Sequence, residues 1–185
     1  MNHHRWFNDE KERRRWQNPE AILVDIGIRS GFTFMDIGCG DGFFALPAAR
    51  LVGKKGKVYG LDVDGEAVGR LKQKAMREGL ENLNLAVGEA EDTVLCEACA
   101  DIVFFGINLH DFRNPSKVLM NAKRLLKPTG RLIDLDWKKE PMEIGPPLPI
   151  RFSDEKAVRL IKAAGFMIEA VEEAGPYHYL IVAKP

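Results

Sequence analysis

The sequence predicts a doubly wound α/β fold, built on a mostly parallel sheet of seven strands. Three observations predict it. Apolar strand-like runs alternate with amphipathic helical runs along most of the chain. The first strand leads directly into a glycine-rich turn, and the last two strands flank Gly175-Pro176 as an antiparallel hairpin. Strands that alternate with helices pair in parallel and are covered on both faces, so ligands bind at their carboxyl ends.

Each element has its own signal. Asn8 or Asp9 can cap a short charged helix that reaches Trp16, and Pro19 can open a second helix. Glycines at the ends of two later helical runs are typical helix stops. The other predicted elements are, in chain order, strand 32–37, helix 42–52, strand 56–62, helix 65–79, strands 82–88 and 100–107, helix and turn 115–130, strand 131–137, helix 153–165 and the closing hairpin.

The composition is that of one globular domain over residues 1–185. Hydrophobic residues make up 45% and charged residues 29%, with 27 basic and 27 acidic side chains. A net charge of zero gives no general attraction to nucleic acid or an anionic membrane, and no apolar run could span a bilayer. The N-terminus resembles no targeting signal, and the three cysteines form no disulfide framework, so we expect a cytoplasmic protein.

The turn after the first strand reads FMDIGCGDGFF, residues 34–44. A strand, a glycine turn and a helix N-terminus together suit the polar part of a nucleotide-like ligand. The dinucleotide fingerprint G-x-G-x-x-G fails here, because Phe43 takes the third glycine's place and Asp41 would face a pyrophosphate with like charge. A ligand with a cationic centre and an amino-acid end would tolerate both Asp36 and Asp41.

The motif MDIGCGDG resembles the first motif of class I S-adenosylmethionine-dependent methyltransferases. The resemblance continues in that family's order through VYGLDVD, GEAED at 88–92, GINLHDF at 106–112 and LLKPTGRLIDLDW. It covers the chain from about residue 19 to the end. It is nearest to small-molecule enzymes of the ubiquinone/menaquinone-biosynthesis and arsenite-methylating type. The resemblance implies a Rossmann-like methyltransferase fold and S-adenosylmethionine as cofactor.

The resemblance also assigns cofactor-binding positions. Asp62 would accept the ribose hydroxyls, Glu89 would reach the exocyclic amine of the adenine, and the Ala90 backbone would reach its ring. Asp62 could instead cap the helix at 65, a role that we give to Asp64, and Glu91 or Asp92 could replace Glu89. Cys39 is expected to line the turn as a small residue and not to act as a nucleophile. The full predicted cofactor set is Asp36, Gly38, Cys39, Gly40, Asp41, Asp62, Val63, Glu89, Ala90 and Asn108.

The acceptor side of the site is predicted less fully, because a sulfonium donor is already activated and a general base is optional. Asn108, His110 and Asp111 follow the fourth strand and are the predicted catalytic residues, while Asp136 and Trp137 end the fifth. His110 is either a base or acceptor-orienting group, or simply a loop histidine. A magnesium site made of Asp111 with Asp134 or Asp136 is a minor alternative, and no metal is expected.

Two segments have no place in the seven-strand scheme, the arm 1–18 and the insertion 138–152. Both contain aromatic residues or prolines, and we expect them to form a lid over a small acceptor (Trp6, Phe7, Trp16, Pro146, Pro147, Phe152).

Motifs of amino-methylating and cytosine-methylating nucleic-acid enzymes are not found after the fourth strand. The alternatives are an RNA or protein methyltransferase that needs a partner, or a cofactor-binding protein without transfer activity. Cys96-x-x-Cys99 and the basic run 11–15 are interpreted as structural or surface features.

Overall fold

The computed structural model describes residues 10–185. Trp6, Phe7 and the rest of the predicted arm before Glu10 lie outside the described residues. Within the described part, no helix is long and apolar enough to cross a membrane.

One sheet organises the described chain, with the strand order β3-β2-β1-β4-β5-β7-β6. Strands β1 to β5 pair in parallel, and β7 runs antiparallel to both β5 and β6. The predicted doubly wound seven-stranded sheet with a C-terminal antiparallel hairpin is therefore confirmed. The strands are β1 Thr33–Ile37, β2 Lys57–Asp62, β3 Leu83–Val87, β4 Ala100–Gly106, β5 Leu126–Trp137, β6 Met167–Ala174 and β7 His178–Lys184.

The helices begin where the sequence offers capping side chains. Asn18, Asp64, Asn114 and Ser153 each accept a hydrogen bond from a backbone N–H of the first turn that follows. The helices are α1 Glu10–Arg13, α2 Pro19–Asp25, α3 Ala45–Val52, α4 Gly65–Arg77, α5 Pro115–Leu125 and α6 Asp154–Ala163, with a short 3₁₀ turn at Leu109–Asp111.

Several boundaries differ from the prediction, and three of these differences are at α1, α3 and β5. Helix α1 ends at Arg13 and does not reach Trp16. Helix α3 begins at Ala45 instead of residue 42, because Gly42 has a φ of +90° that no helix contains. Strand β5 begins at Leu126, five residues early, and pairs Leu126 with Ala100 before an irregularity in the register.

Apolar side chains alternate between two cores, one on each face of the sheet. Phe34 and Phe104 pack on the face covered by α3 and α4, while Met35 and Phe105 pack on the face covered by α5 and α6. Period-2 alternation with both faces apolar is typical of a covered parallel sheet. Polar groups that act on a ligand therefore gather at the carboxyl edge of the strands.

The loop between β3 and β4 corrects one expectation. Cys96 and Cys99 form a disulfide, with their Cα atoms 6.2 Å apart, although no disulfide was expected from the sequence. Ala98 between them has a φ of +47°, and this local turn brings the two side chains together. Cys39 is a free, buried cysteine.

Candidate functional site

The glycine turn lies between the end of β1 and the start of α3. Gly38, Gly40 and Gly42 have φ values of +79°, +48° and +90°, in the left-handed region that favours glycine. A Cβ on Gly38 would collide with the side chain of Asn108, and one on Gly42 would collide with Leu71 of α4. The glycines thus allow the turn to pack tightly against both neighbouring elements.

Asn108 connects the end of β4 to this turn. Its Nδ2 donates to the carbonyl oxygen of Ile37 at 2.6 Å. Its Oδ1 is buried and has no hydrogen-bond partner among the described residues. Because a buried acceptor without a donor is costly, this oxygen could accept a hydrogen bond from a bound ligand.

Asp62 ends β2 beside the same turn. Its Oδ2 accepts from the Gly40 N–H at 2.7 Å and its Oδ1 accepts from the Asp64 N–H at 2.9 Å. Asp64 caps α4 with its own side chain, so the predicted division of roles between the two acids is confirmed for Asp64. Val63 beside them is 57% exposed, and this apolar side chain could pack against a flat ring.

Asp36 is the buried acid at the end of β1. Burial, together with the nearby charge of Asp62, raises the pKa of its carboxyl group to about 7. Arg13 and a hydrogen bond from the Ala45 N–H act in the opposite direction. Near neutral pH this carboxyl group is therefore close to half ionised, and a cation beside it would favour the ionised form.

Two other predicted residues of the turn have their side chains engaged elsewhere. Asp41 accepts from Nε of Arg70 at 2.7 Å on the protein surface. The Cys39 side chain packs against β2, where a Cβ on Gly60 would approach its sulfur to 2.9 Å. Burial is the largest of the influences that raise the pKa of the Cys39 thiol. Its reactive thiolate is thus disfavoured, as expected for a lining residue.

The loop after β3 carries three acids in different environments. Glu91 is buried and accepts from the Asn114 N–H at 3.1 Å, and Asp92 pairs with Lys117. Glu89 pairs at 2.7 Å with Arg113, whose side chain is 78% exposed. Ala90 is buried beside them. An exposed ion pair contributes little free energy, so Glu89 and Asp92 both remain available to a ligand, whereas Glu91 is buried and engaged.

His110 and Asp136 meet at the carboxyl ends of β4 and β5. His110 Nδ1 lies 2.8 and 2.9 Å from the two carboxylate oxygens of Asp136, and its Nε2 lies 3.4 Å from Asp111. Burial lowers the pKa of His110, but Asp136 and then Asp111 more than offset this effect, so that its pKa is raised. Asp136 thus fixes the imidazole orientation, with Nε2 directed toward Asp111.

Asp134 is a second acid on the same face of β5. Both of its carboxylate oxygens are buried without hydrogen-bond partners among the described residues. Burial, together with the charge of Asp136, raises its pKa well above the ordinary value, which favours the neutral form. Within residues 10–185, no three His, Cys, Asp or Glu side chains form a cluster that could hold a metal ion.

The insertion 138–152 follows β5 and is organised by Arg151, which sequence reasoning missed. The buried Arg151 guanidinium donates to the carbonyl oxygens of Lys138, Glu140, Ile144 and Pro146. Phe152 at the end of the insertion is buried, with its ring centroid 6.4 Å from that of His110. Because all four acceptors are backbone carbonyl oxygens, no pattern of side chains in the sequence predicts this arrangement.

The described end of the N-terminal arm packs against the same edge of the sheet. The Trp16 ring stacks on His178 at a centroid distance of 5.6 Å and lies 5.5 Å from Trp137. These are the contacts of a staple that holds the arm on the sheet. Sequence reasoning also missed Arg13, whose guanidinium carbon lies 3.8 Å from the centroid of the Phe43 ring, and Gln17, whose Oε1 accepts from Nε of Arg13 at 2.7 Å.

The fold and this edge together define a class of protein. A glycine turn flanked by carboxylates at the ends of β1 and β2, in a seven-stranded sheet of this order, is the arrangement of class I S-adenosylmethionine-dependent methyltransferases. The family model described as "Methyltransferase domain" matches residues 28–158. The chain belongs to this family, and S-adenosylmethionine is its cofactor.

Known relatives support this assignment. The curated relative ubiquinone/menaquinone biosynthesis C-methyltransferase UbiE of Brucella suis biovar 1 is 27% identical over 91% of this chain and 61% of its own length. The chain thus spans about three fifths of the curated relatives that it matches. A crystal structure of a SAM-dependent methyltransferase from Aquifex aeolicus is 31% identical, with a TM-score of 0.88 over 96% of this chain and 98% of that one.

A third similarity concerns the fold alone. The arsenic(III) S-adenosylmethionine methyltransferase CrArsM of Chlamydomonas reinhardtii has a TM-score of 0.66 and 22% identity, over 85% of this chain and 63% of that one.

Proposed function

We propose that this protein transfers the methyl group of S-adenosylmethionine to a small organic acceptor, and that the acceptor lies beside His110. The observation that carries the proposal is the His110–Asp136 pair, with ring nitrogen and carboxylate 2.8 Å apart. His110 follows β4, the strand that pairs with β1, and Asp136 lies near the end of β5, the next strand of the sheet. The printed name of the UbiE relatives, a C-methyltransferase of ubiquinone/menaquinone biosynthesis, supports a small and aromatic acceptor.

The cofactor fits the side chains at the edge of the sheet. Asp62 would hold the ribose, Val63 would pack on the adenine, and Glu89 with the Ala90 backbone would read the adenine edge. The buried Oδ1 of Asn108 offers an acceptor that the described protein groups leave unused. When bound, S-adenosylmethionine supplies a methyl group activated by its sulfonium.

His110 would receive the proton of the acceptor at Nε2. Asp136 accepts from Nδ1–H, which fixes the tautomer with Nε2 as the basic nitrogen. The raised pKa makes His110 a stronger base, but the basic form predominates only at pH values above that pKa. Deprotonating a hydroxyl group or an acidic carbon of the acceptor would increase its nucleophilicity toward the methyl group.

The cover of the acceptor would come from two segments near the end of β5. Trp16 packs on Trp137, and the insertion 138–152 is held in shape by the buried Arg151. Two cavities of about 330 and 310 Å³ lie against this insertion, but neither is lined by His110 or by the glycine turn. A cover of this kind would exclude water from the sulfonium. On the basis of these contacts, we propose that 1–18 and 138–152 form a lid over the acceptor.

Transfer of labelled methyl groups tests the proposal. The full chain is incubated with methyl-labelled S-adenosylmethionine and a cell extract separated into a low-molecular-mass filtrate and the retained macromolecules. We expect a labelled product other than S-adenosylmethionine only with the filtrate fraction. The variant His110→Gln should form much less of this product. The matched control Asp25→Asn changes an exposed acid away from the site and should keep full transfer. Label only in retained RNA or protein would contradict the small-acceptor proposal.

A further inference from the structure

The disulfide between Cys96 and Cys99 has no part in the proposed function. The two residues that it encloses, Glu97 and Ala98, are exposed, and both cysteines are half-buried. A small thiol in solution can therefore approach the sulfur atoms. Accessible disulfides are reduced more easily than enclosed ones and are commonly the regulatory ones. The sequence predicts a cytoplasmic protein, and in that compartment the disulfides that form are usually transient or redox-sensing.

The same segment begins with the loop that is proposed to bind the adenine. Residues 88–99 connect β3 to β4 without a helix or strand of their own, with Glu89 and Ala90 near the start and the disulfide at the end. Between them, Val94 and Leu95 pack against the apolar core on the face covered by α5 and α6. The disulfide thus closes the far end of the segment whose near end would contact the cofactor.

Helix α5 holds the near end of this segment. Nδ2 of Asn121 donates to the carbonyl oxygen of Ala90 at 2.9 Å and to that of Glu91 at 2.8 Å. The backbone N–H of Asn114, which caps the same helix, donates to the Glu91 side chain at 3.1 Å. The position of the adenine loop therefore depends on how the segment lies along α5.

The last turn of the same helix holds the disulfide end. The Ala98 N–H donates to the carbonyl oxygen of Arg124 at 2.8 Å, and the Cys99 N–H donates to that of Leu125 at 2.9 Å. Arg124 also pairs with Glu97. Ala98 has a φ of +47°, which a residue other than glycine keeps only where its surroundings enforce it. Reduction would remove the covalent link across this turn, so that the turn could relax and leave the helix.

We propose that Cys96 and Cys99 form a redox site for low-molecular-mass thiols, and that the state of this site sets the affinity for the adenosine part of the cofactor. Each of two thiol molecules gives up a proton and an electron. They leave joined as a disulfide, and the two cysteines become free thiols. The oxidised turn would hold the segment along α5, and reduction would release the adenine loop. The inference rests on the proposed function, in that Glu89 and Ala90 bind the adenine.

Calorimetry with S-adenosylhomocysteine in glutathione buffers of increasing reduced fraction tests this coupling on the full chain. A thiol titration of the unfolded protein gives the redox state, because the oxidised chain has one free cysteine, Cys39, of its three. The control is the double variant Cys96→Ser with Cys99→Ser, which cannot form the link. A second ligand, S-inosylhomocysteine, differs in having an oxygen in place of the exocyclic amine that Glu89 would contact.

We expect reduction to increase the dissociation constant for S-adenosylhomocysteine about threefold to tenfold. This is below the roughly twentyfold that corresponds to closing a loop of about four residues. The change should follow the number of free thiols. The double variant should bind like the reduced protein in every buffer. For S-inosylhomocysteine the change should be smaller, since that ligand lacks the amine.

Other results would overturn the inference. An unchanged affinity while the free thiols increase from one to three would leave the disulfide a purely structural role, visible only in the thermal midpoint. A disulfide that fully reduced glutathione cannot open, or three free thiols in every buffer, would exclude a redox site. Equal weakening of both ligands would place the effect away from the adenine. If the protein bound no S-adenosylhomocysteine in either state, the proposed function itself would fail, which differs from binding that is indifferent to the redox state.

Discussion

Acidification should weaken cofactor binding through Asp36. In the free protein, burial and the nearby Asp62 raise the pKa of Asp36 to about 7. The ammonium group of a bound ligand would bring an opposite charge and favour the carboxylate. Binding below about pH 7 must therefore release a proton, and the affinity falls as the pH falls.

The size of the effect follows from this pKa. The protonated fraction of Asp36 rises from about one tenth at about pH 8 to about nine tenths at about pH 6. If only the ionised form binds, the dissociation constant for S-adenosylhomocysteine should increase about tenfold between these two values.

Calorimetry in two buffers with different ionisation enthalpies measures both the affinity and the proton release. Asp36→Asn is the control variant, and it should bind more weakly but lose most of this pH dependence. A dissociation constant in the unmodified protein that is the same at both pH values would refute the reasoning. So would a pH dependence that Asp36→Asn retains in full, since it would then come from another group such as His110.

The remaining predictions concern other parts of the site. Asp62→Asn should weaken S-adenosylhomocysteine binding about tenfold at an unchanged thermal midpoint, and an unchanged affinity would restrict Asp62 to shaping the turn. Asp136→Asn should move the alkaline-rising limb of the rate–pH profile to lower pH, because the carboxylate raises the pKa of His110. A limb that does not move would exclude His110 as the base. Gly38→Ala should lower the thermal midpoint and abolish binding, because its Cβ collides with Asn108. Combining Gly38→Ala with Asn108→Ala should restore part of the lost stability, because the collision is removed. If stability does not recover, strain in the backbone at residue 38 would be the whole cause of the loss.

The sequence predicts the sheet well because the apolar pattern of each segment agrees with the place of that segment in the sheet. Most of the parallel strands are largely apolar runs that end at or beside a glycine or an acid. The sites of Asp36, Asp62 and His110 at the strand ends could therefore be named before the structure was known. Parallel pairing then brings these ends to one edge, whatever the details of the connecting helices.

Contacts between residues far apart in the chain could not be predicted in this way. His110 and Asp136 are separated by 26 residues, and both were expected at the mouth of the site without being expected to pair. The salt bridge of Asp41 with Arg70 spans 29 residues and could not be expected from the sequence either. Periodicity gives the face of an element but not the partner of a polar side chain.

The N-terminal arm illustrates the same limit. Its basic run was interpreted as a solvated helix end, and Arg14 is indeed exposed, in a pair with Glu20. Arg13 differs only in being directed inward onto Phe43. Nothing in five consecutive charged residues shows which one will be enclosed, because the answer depends on how the arm crosses the sheet.

A crystal structure of the full chain with S-adenosylhomocysteine tests the central claim most directly. The account predicts the ribose hydroxyls on Asp62, the ammonium group beside Asp36, and the sulfur on the side of the turn that faces Asn108 and His110. A ligand bound elsewhere, for example in the cavity against α6, would contradict it. So would the expected position with the sulfur directed away from His110.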